Sequence, residues 1–174
     1  TGETVPGDLY HFVKAPFAKF TLKVNSKDFD YQMVNGYAVL NREWKKGDVI
    51  QLNLPMDVQE VAARESITAD VDRVALQRGP LVYCVEGADN DGQAWNILMQ
   101  ENTAFKTSFQ KDLLNGIVTI QAEVPVVVFS ADNQTVSTQK KTITAIPYYS
   151  WCNRGSNPMQ VWFPRKIKDI KLNY

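Results

Sequence analysis

The amino-acid sequence predicts an all-β protein, an antiparallel β-sandwich organised as two modules in series. Three observations carry that expectation. Apolar and polar residues alternate with period two over several short segments, as on strands with one buried face. Gly, Pro, Asn and Asp cluster between those segments, where chain reversals need them. Neither a heptad repeat nor a long amphipathic helical pattern runs through the chain.

Taken in order, Phe20, Leu22 and Val24 alternate with Lys19, Thr21 and Lys23, which gives a half-buried strand with lysines on its outer face. Gly36–Trp44 is a second strand candidate. The loop Lys45-Lys46-Gly47 leads into Asp48–Leu54, where Ile50, Leu52 and Leu54 share one face. Pro55 ends that run because it has no N–H to continue a ladder. Asp57–Arg64 is the best helical candidate in the chain, although it is short and its residues equally suit a strand. Val74–Leu76 and Leu81–Val85 are apolar runs separated by Arg78-Gly79-Pro80, which predicts two short strands meeting at a corner.

Gly87–Gly92 is the most turn-rich stretch and marks the expected principal boundary. The first module then spans residues 1–87, short of an N-terminal strand, and the second spans 88–164. Trp95–Phe109 is weakly patterned, with a short strand expected near Ile97–Met99. After a turn at Asn115-Gly116, Val118, Ile120, Ala122 and Val124 alternate with polar residues, and Val126–Phe129 reads as a buried run. Strands at Thr142–Tyr149 and Met159–Phe163 flank a loop at Asn153–Pro158. Residues 165–174 form a tail or a last strand (Ile167–Leu172) that returns to the first module.

Composition narrows function. The chain has 174 residues with 19 basic and 19 acidic side chains, so its formal net charge is zero. A neutral chain without a basic stripe offers no electrostatic handle for nucleic acid or an anionic membrane, and neither is an expected partner. No apolar run is long enough to span a bilayer, and TGETVPGDLY lacks a signal-peptide core. The chain begins at Thr1 rather than Met, which reads as a processing or cloning boundary. One histidine, His11, and two cysteines, Cys84 and Cys152, argue against a His-rich metal site, a disulfide scaffold or a Ser-His-Asp triad. His11, between Tyr10 and Phe12, reads as a surface or interface histidine. Cys84 lies in an apolar run and reads as a buried, inert thiol, while Cys152 follows Trp151 in a turn-like segment. Sequence alone leaves open both a bond between them and the redox compartment.

The residues themselves define no reaction. Glu86, Asp89 and Asp91 are the densest acidic cluster. Asp89-x-Asp91-Gly92 starts like a calcium loop, but Ala94 and Gln100 stand where an EF-hand needs Gly and Glu, so a solvated turn is expected. Arg78 reads as a structural arginine, tied to backbone carbonyls or to a carboxylate. Trp44 and Trp162 fall within strand patterns and are expected in the core. Tyr148-Tyr149-x-Trp151-x-Asn153-Arg154 brings rings, an amide and a guanidinium together. Tyr148, Trp151, Asn153 and Arg154 are therefore the candidates for carbohydrate binding or for a domain interface. On a strand the two adjacent tyrosines would point to opposite faces, so they would not share one platform. No catalytic or metal-ligating residue is assigned.

Several segments in order resemble one family. They are Val5-Pro-Gly-Asp-Leu-Tyr10, Leu22-Lys-Val-Asn25, Gly36-Tyr-Ala-Val-Leu-Asn-Arg-Glu-Trp44 with Gly47-Asp48, and Leu54-Pro-Met56. Arg73-Val-Ala-Leu-Gln-Arg-Gly-Pro-Leu-Val-Tyr-Cys-Val-Glu86 follows, then Thr144-Ala-Ile-Pro-Tyr-Tyr-Ser-Trp-Cys-Asn-Arg-Gly155 and Met159-Gln-Val-Trp-Phe-Pro164. Together they are similar to the C-terminal part of glycoside hydrolase family 127, the β-L-arabinofuranosidase family. Ser26 and Cys152 depart from the usual small residues of that pattern. The resemblance implies β-sandwich domains that follow an (α/α)6 catalytic barrel bearing a zinc-bound cysteine nucleophile and an acid/base glutamate. Nothing in this chain reads as that barrel, and its zinc and nucleophile roles do not transfer to Cys84 or Cys152. The expected function is therefore a non-catalytic accessory region, with no cofactor of its own, whose parent is a glycoside hydrolase. Expected partners are the parent's own barrel, a second copy in a homodimer and a plant-type glycan. An autonomous carbohydrate-binding module centred on Trp151 is the alternative. A soluble bacterial carbohydrate-degrading system, cytoplasmic or exported, is the implied setting.

Overall fold

A computed structural model of the chain describes residues 9–14, 19–130 and 135–170. Val5–Asp8 of the first family segment and residues 171–174 of the expected tail lie outside the described residues. In chain order the strands are Tyr10–Phe12 (β1), Thr21–Val24 (β2), Lys27–Asp28 (β3), Gln32–Val34 (β4), Tyr37–Val39 (β5), Ile50–Asn53 (β6) and Val58–Ala63 (β7). Arg73–Arg78 (β8), Leu81–Glu86 (β9), Phe105–Gln110 (β10), Ile117–Phe129 (β11), Val136–Pro147 (β12), Met159–Gln160 (β13) and Phe163–Pro164 (β14) follow. The only helical segments among the described residues are short 3-10 turns. All strand pairing between these elements is antiparallel, and no sheet closes into a barrel. The fold is the predicted all-β sandwich class.

By its contacts the chain divides into two units, one running to Asp57 and the other joining β1 to everything from Val58 onward. The boundary expected at Gly87 falls inside the second unit. There β9, which ends just before the 3-10 turn at Gly87–Asp89, pairs with β12, which follows it, so strands on both sides of the turn-rich loop belong to one sheet.

The first unit holds a three-stranded sheet, β3-β2-β6, and the β4-β5 hairpin. Asn35 and Gly36, both at positive φ, form the hairpin turn, which suits Asn and Gly because neither is penalised strongly there. The expected long strand Gly36–Trp44 is thereby reduced to Tyr37–Val39. Asn25 and Asp48 pin the base of the β2/β6 pair. Asn25 Nδ2 donates to Asp48 Oδ1 at 2.7 Å, Val49 N donates to Asn25 Oδ1 at 2.9 Å, and Arg42 Nη2 reaches Asp48 Oδ2 at 3.1 Å. Trp44, expected in the core, is instead exposed and lies under the Arg42 guanidinium at 5.0 Å, because the described residues of this small unit bring no second apolar layer over it.

The second unit is a nine-stranded sheet with the main path β1-β7-β8-β9-β12-β11-β10; β13 pairs with β9 and β14 with β8. Its core gathers Val74, Leu76, Tyr83, Val85, Ile120, Val124, Ala145 and Phe163, with Ile97 and Met99 from the loop before β10. Asp57–Arg64, the helical candidate, is strand β7: it pairs with β8 on one side and β1 on the other, and that pairing outweighs local helix preference. The expected corner at Gly79-Pro80 is a two-residue hairpin turn, with Arg78 opposite Leu81 and Gly79 at φ 56° in the first central position. The two runs expected around Val124 and Val126 are one 13-residue strand. Pro125, which has no N–H, sits within it opposite Lys140, and its carbonyl accepts the Leu98 N–H at 3.0 Å. The expected strand at Met159–Phe163 is two short pieces, and Ile167–Asp169 is a 3-10 turn rather than strand. That tail is held against the start of β8: Arg165 N donates to Asp72 O at 2.9 Å and Arg73 Nη2 donates to Asp169 O at 2.7 Å.

Candidate functional site

The four candidate residues lie in one segment but do two different things. Strand β12 ends at Pro147, one residue earlier than the aromatic pair, and Tyr148–Ser150 turns as a 3-10 helix closed by Trp151 N donating to Tyr148 O at 3.0 Å. The strand geometry that would have sent Tyr148 and Tyr149 to opposite faces therefore does not apply, and both rings are exposed. Tyr148 and Trp151 stack with centroids 6.0 Å apart and planes 10° apart, at 45% and 39% exposure. Stacking and partial exposure together leave a modest aromatic surface beside a polar loop.

Asn153 faces inward on its own turn, its Nδ2 donating to Ser150 O at 3.0 Å. Arg154 reaches back 65 residues to the Gly87–Asp89 turn. Its Nη1 donates to Asp89 Oδ1 at 2.6 Å, while Nη2 bridges Asp89 Oδ2 and Glu86 Oε2. Glu86 is fully buried, and its Oε1 accepts the Cys152 N–H at 2.9 Å. A buried carboxylate needs such a partner because desolvation of an unpaired charge is costly. The bonds to Asp89 and, less strongly, Glu86 hold the Arg154 guanidinium above its ordinary pKa, against the opposing effect of burial. Asn90 completes the corner by clasping β12: its Nδ2 donates to Thr144 O at 3.0 Å and Thr144 N donates to its Oδ1 at 2.9 Å. Asp91 pairs with Lys141 at 2.8 Å. The acidic cluster read from the sequence is thus spent on Arg154 and Lys141. No local pattern ties that cluster to Arg154; the one hint in the sequence is a carboxylate, Glu86, ending an apolar strand.

Both cysteines are free. Cys84 is buried, and burial, with Glu86 nearby, pushes its thiol up to about 12. A reactive cysteine must be a thiolate, so a buried thiol raised this far is inert as a nucleophile. Among the described residues no group of three or more His, Cys, Asp and Glu is placed to hold a metal ion. No helix among the described residues is long and apolar enough to cross a membrane.

An antiparallel β-sandwich with an ion network at its Glu86–Asp91 corner places the chain among β-sandwich domains. The relatives specify which one. The glycoside hydrolase family 127 C-terminal domain matches residues 58–164, and the GH127 middle domain of β-L-arabinofuranosidases matches residues 13–56. The chain belongs to glycoside hydrolase family 127. It is 34% identical, over 160 residues, to a non-reducing end β-L-arabinofuranosidase of Bifidobacterium longum subsp. longum, covering 82% of this chain and 23% of that protein. Among solved structures, a GH127 β-arabinofuranosidase superposes with a TM-score of 0.91 at 33% identity, covering 98% of this chain and 27% of that one. A GH127 β-L-arabinofuranosidase from Geobacillus stearothermophilus T6 gives 0.79 at 34% identity, covering 93% of this chain and 26% of that one. The chain spans about a quarter of the length of these relatives. The junction between the two matched domains coincides with the division of the structure at Asp57/Val58.

Proposed function

We propose that this chain is the non-catalytic accessory region of a family 127 enzyme acting on β-L-arabinofuranosides, and that its first unit braces the catalytic barrel of the parent polypeptide. One observation carries the reading. Among the described residues, the first unit buries only two hydrophobic side chains, Leu22 and Val24, at 7% and 3% exposure. Directly paired residues share a face, so Leu52 opposite Leu22 and Ile50 opposite Val24 belong to that same side, yet they are 54% and 52% exposed. The face is covered over β2 and bare over β6. The outer edge of β6 also has no partner strand among the described residues. A unit of this size rarely supports itself on so small a core, and covering a Leu or Ile side chain contributes roughly 1–3 kcal/mol. The barrel is the neighbour that supplies this cover, and a second copy meeting at the same edge gives the homodimer contact.

The second reading, an autonomous carbohydrate-binding module, is favoured by the stacked and exposed Tyr148–Trp151 pair beside Asn153. Two assays on the purified 174-residue chain separate the readings. The accessory reading expects no turnover of an aryl β-L-arabinofuranoside and no retardation in affinity gels containing arabinan or arabinogalactan. Turnover removes the non-catalytic reading. Retardation that is lost in Trp151→Ala replaces it with the binding module.

A further inference from the structure

An asparagine followed by glycine is the context in which the side-chain amide is most open to attack by the next backbone nitrogen, because glycine has no Cβ to obstruct the approach. The chain holds two such pairs, Asn35-Gly36 and Asn115-Gly116, and one aspartate counterpart, Asp91-Gly92. Both residues of all three pairs take positive φ, so local conformation does not tell them apart. What differs is how firmly each turn is held.

Gly116 N donates to Leu113 O at 2.9 Å, and Gly92 N donates to Gly87 O at 2.8 Å. Gly36 N makes no such backbone bond among the described residues. A Cβ placed on Gly116 would meet the Phe109 ring at 3.2 Å, whereas one on Gly36 would meet nothing within 4 Å. Asn115-Gly116 leads directly into the buried Ile117 and into β11, which is paired on both sides by β10 and β12. Asn35-Gly36 joins β4 to β5, and those strands pair only with each other. Val34 and Tyr37, the residues flanking that turn, are both exposed, and a two-stranded hairpin is marginal without further packing. Asp91 is disfavoured on a second ground, since Lys141 at 2.8 Å holds its carboxyl below the ordinary value and a carboxylate resists nucleophilic attack.

We propose that Asn35 is a self-modification site of the folded chain, converting to aspartate and isoaspartate through a cyclic imide, while the turn around Asn115 protects that residue. The Gly36 nitrogen attacks Asn35 Cγ and a new C–N bond forms. The Asn35 side-chain nitrogen leaves as ammonia, which carries the Gly36 amide proton by way of solvent. Water then opens the imide at either carbonyl, giving aspartate when the main-chain link is kept and isoaspartate when the chain runs on through the side-chain carbonyl. The only co-reactant is water. Ring closure requires the backbone after Asn35 to rotate out of the left-handed turn, so the rate follows how often the hairpin opens. The isoaspartate product lengthens the backbone by one carbon and adds a carboxylate where the hairpin needs a left-handed Asn-Gly pair, which loosens β4 and β5. The inference does not depend on the accessory role of the chain.

The test is incubation of the native 174-residue chain in mildly alkaline buffer, followed by peptide mapping that reads the amide-to-acid mass gain at each asparagine. Asn35 should convert about tenfold or more faster than Asn115, the ratio given by a difference of about 1.4 kcal/mol in local opening. In concentrated guanidinium chloride the two should convert at similar rates, because both are Asn-Gly pairs after an apolar residue and neither turn survives. Gly36→Ala should slow conversion of Asn35 and leave Asn115 unchanged; reading this variant in guanidinium chloride as well keeps the comparison valid if its hairpin does not form. Equal native rates, or faster conversion at Asn115, overturn the proposal. So does a ratio that guanidinium chloride leaves unchanged, since sequence alone would then set it. Conversion of Asn35 at the parent rate in Gly36→Ala overturns the cyclic route.

Discussion

Replacing Arg154 with methionine removes the one side chain that, among the described residues, neutralises Glu86, while keeping much of the arginine's length and apolar stem. Glu86 is fully buried, and in the native corner it is held by Arg154 at Oε2 and by the Cys152 N–H at Oε1. Breaking a buried pair from one side typically costs about 3–5 kcal/mol, because the remaining charge stays desolvated. The Cys152 bond survives the substitution, and Asp89, the other partner, keeps some contact with solvent. The expected loss is therefore near the lower end, about 3 kcal/mol. Adding Glu86→Gln to Arg154→Met removes the orphaned charge and should restore about 1–2 kcal/mol, so the double variant is more stable than the single one. Urea denaturation followed by tryptophan fluorescence, with unchanged m-values, reads both numbers. A loss below about 1 kcal/mol for Arg154→Met, or a further loss on adding Glu86→Gln, would refute the view of this corner as a coupled buried network.

Three further outcomes follow from the same structure. A Cβ on Gly87 would lie 3.0 Å from the Gly92 carbonyl carbon and 3.0 Å from Pro158 Cδ, so Gly87→Ala should destabilise the second unit by about 1–3 kcal/mol in thermal or urea unfolding. Brief treatment of the native chain with a maleimide should label Cys152, which is exposed, and spare Cys84, whose thiol is buried and pushed up to about 12; intact mass should show one adduct, moving to two only on denaturation. Asp48 is held below its ordinary 3.8 by the Asn25 side chain, the Lys45 N–H and Arg42. A lowered carboxyl stabilises the fold above its unfolded pKa, and that contribution is lost as pH falls through the lowered native value. The first unit should therefore weaken below about pH 4, and Asp48→Asn should flatten that dependence in amide-resolved spectra.

Much of the fold was legible in the sequence because its signals were local. Period-two alternation at Val118–Val124 marks β11, and Asn115-Gly116 marks the turn before it, where both residues take positive φ. What escaped was set by partners distant in sequence. The helix-friendly residues of β7 are strand because β1 and β8 flank them. Strand β10 showed no alternation because it is an edge strand, its residues largely exposed. The Gly87–Gly92 loop resembled a boundary because turn residues mark reversals equally well within a sheet and between domains. At the candidate site, the sequence supplied Tyr148, Trp151, Asn153 and Arg154 as neighbours, but not that Arg154 closes on Glu86 and Asp89. Nor did any pattern reveal that Glu60 would be buried, since its neighbours on β7 suit either orientation of the strand.

The bracing role rests on β6, and amide hydrogen exchange tests it most directly. In the 174-residue chain, peptides covering Ile50–Asn53 should exchange rapidly, far ahead of β11 and β12 in the second unit. In a family 127 polypeptide that joins this chain to the proposed barrel, the same peptides should slow by about tenfold or more as the open edge and the Ile50–Leu52 face are covered. Equal exchange at Ile50–Asn53 in the two proteins would contradict the account.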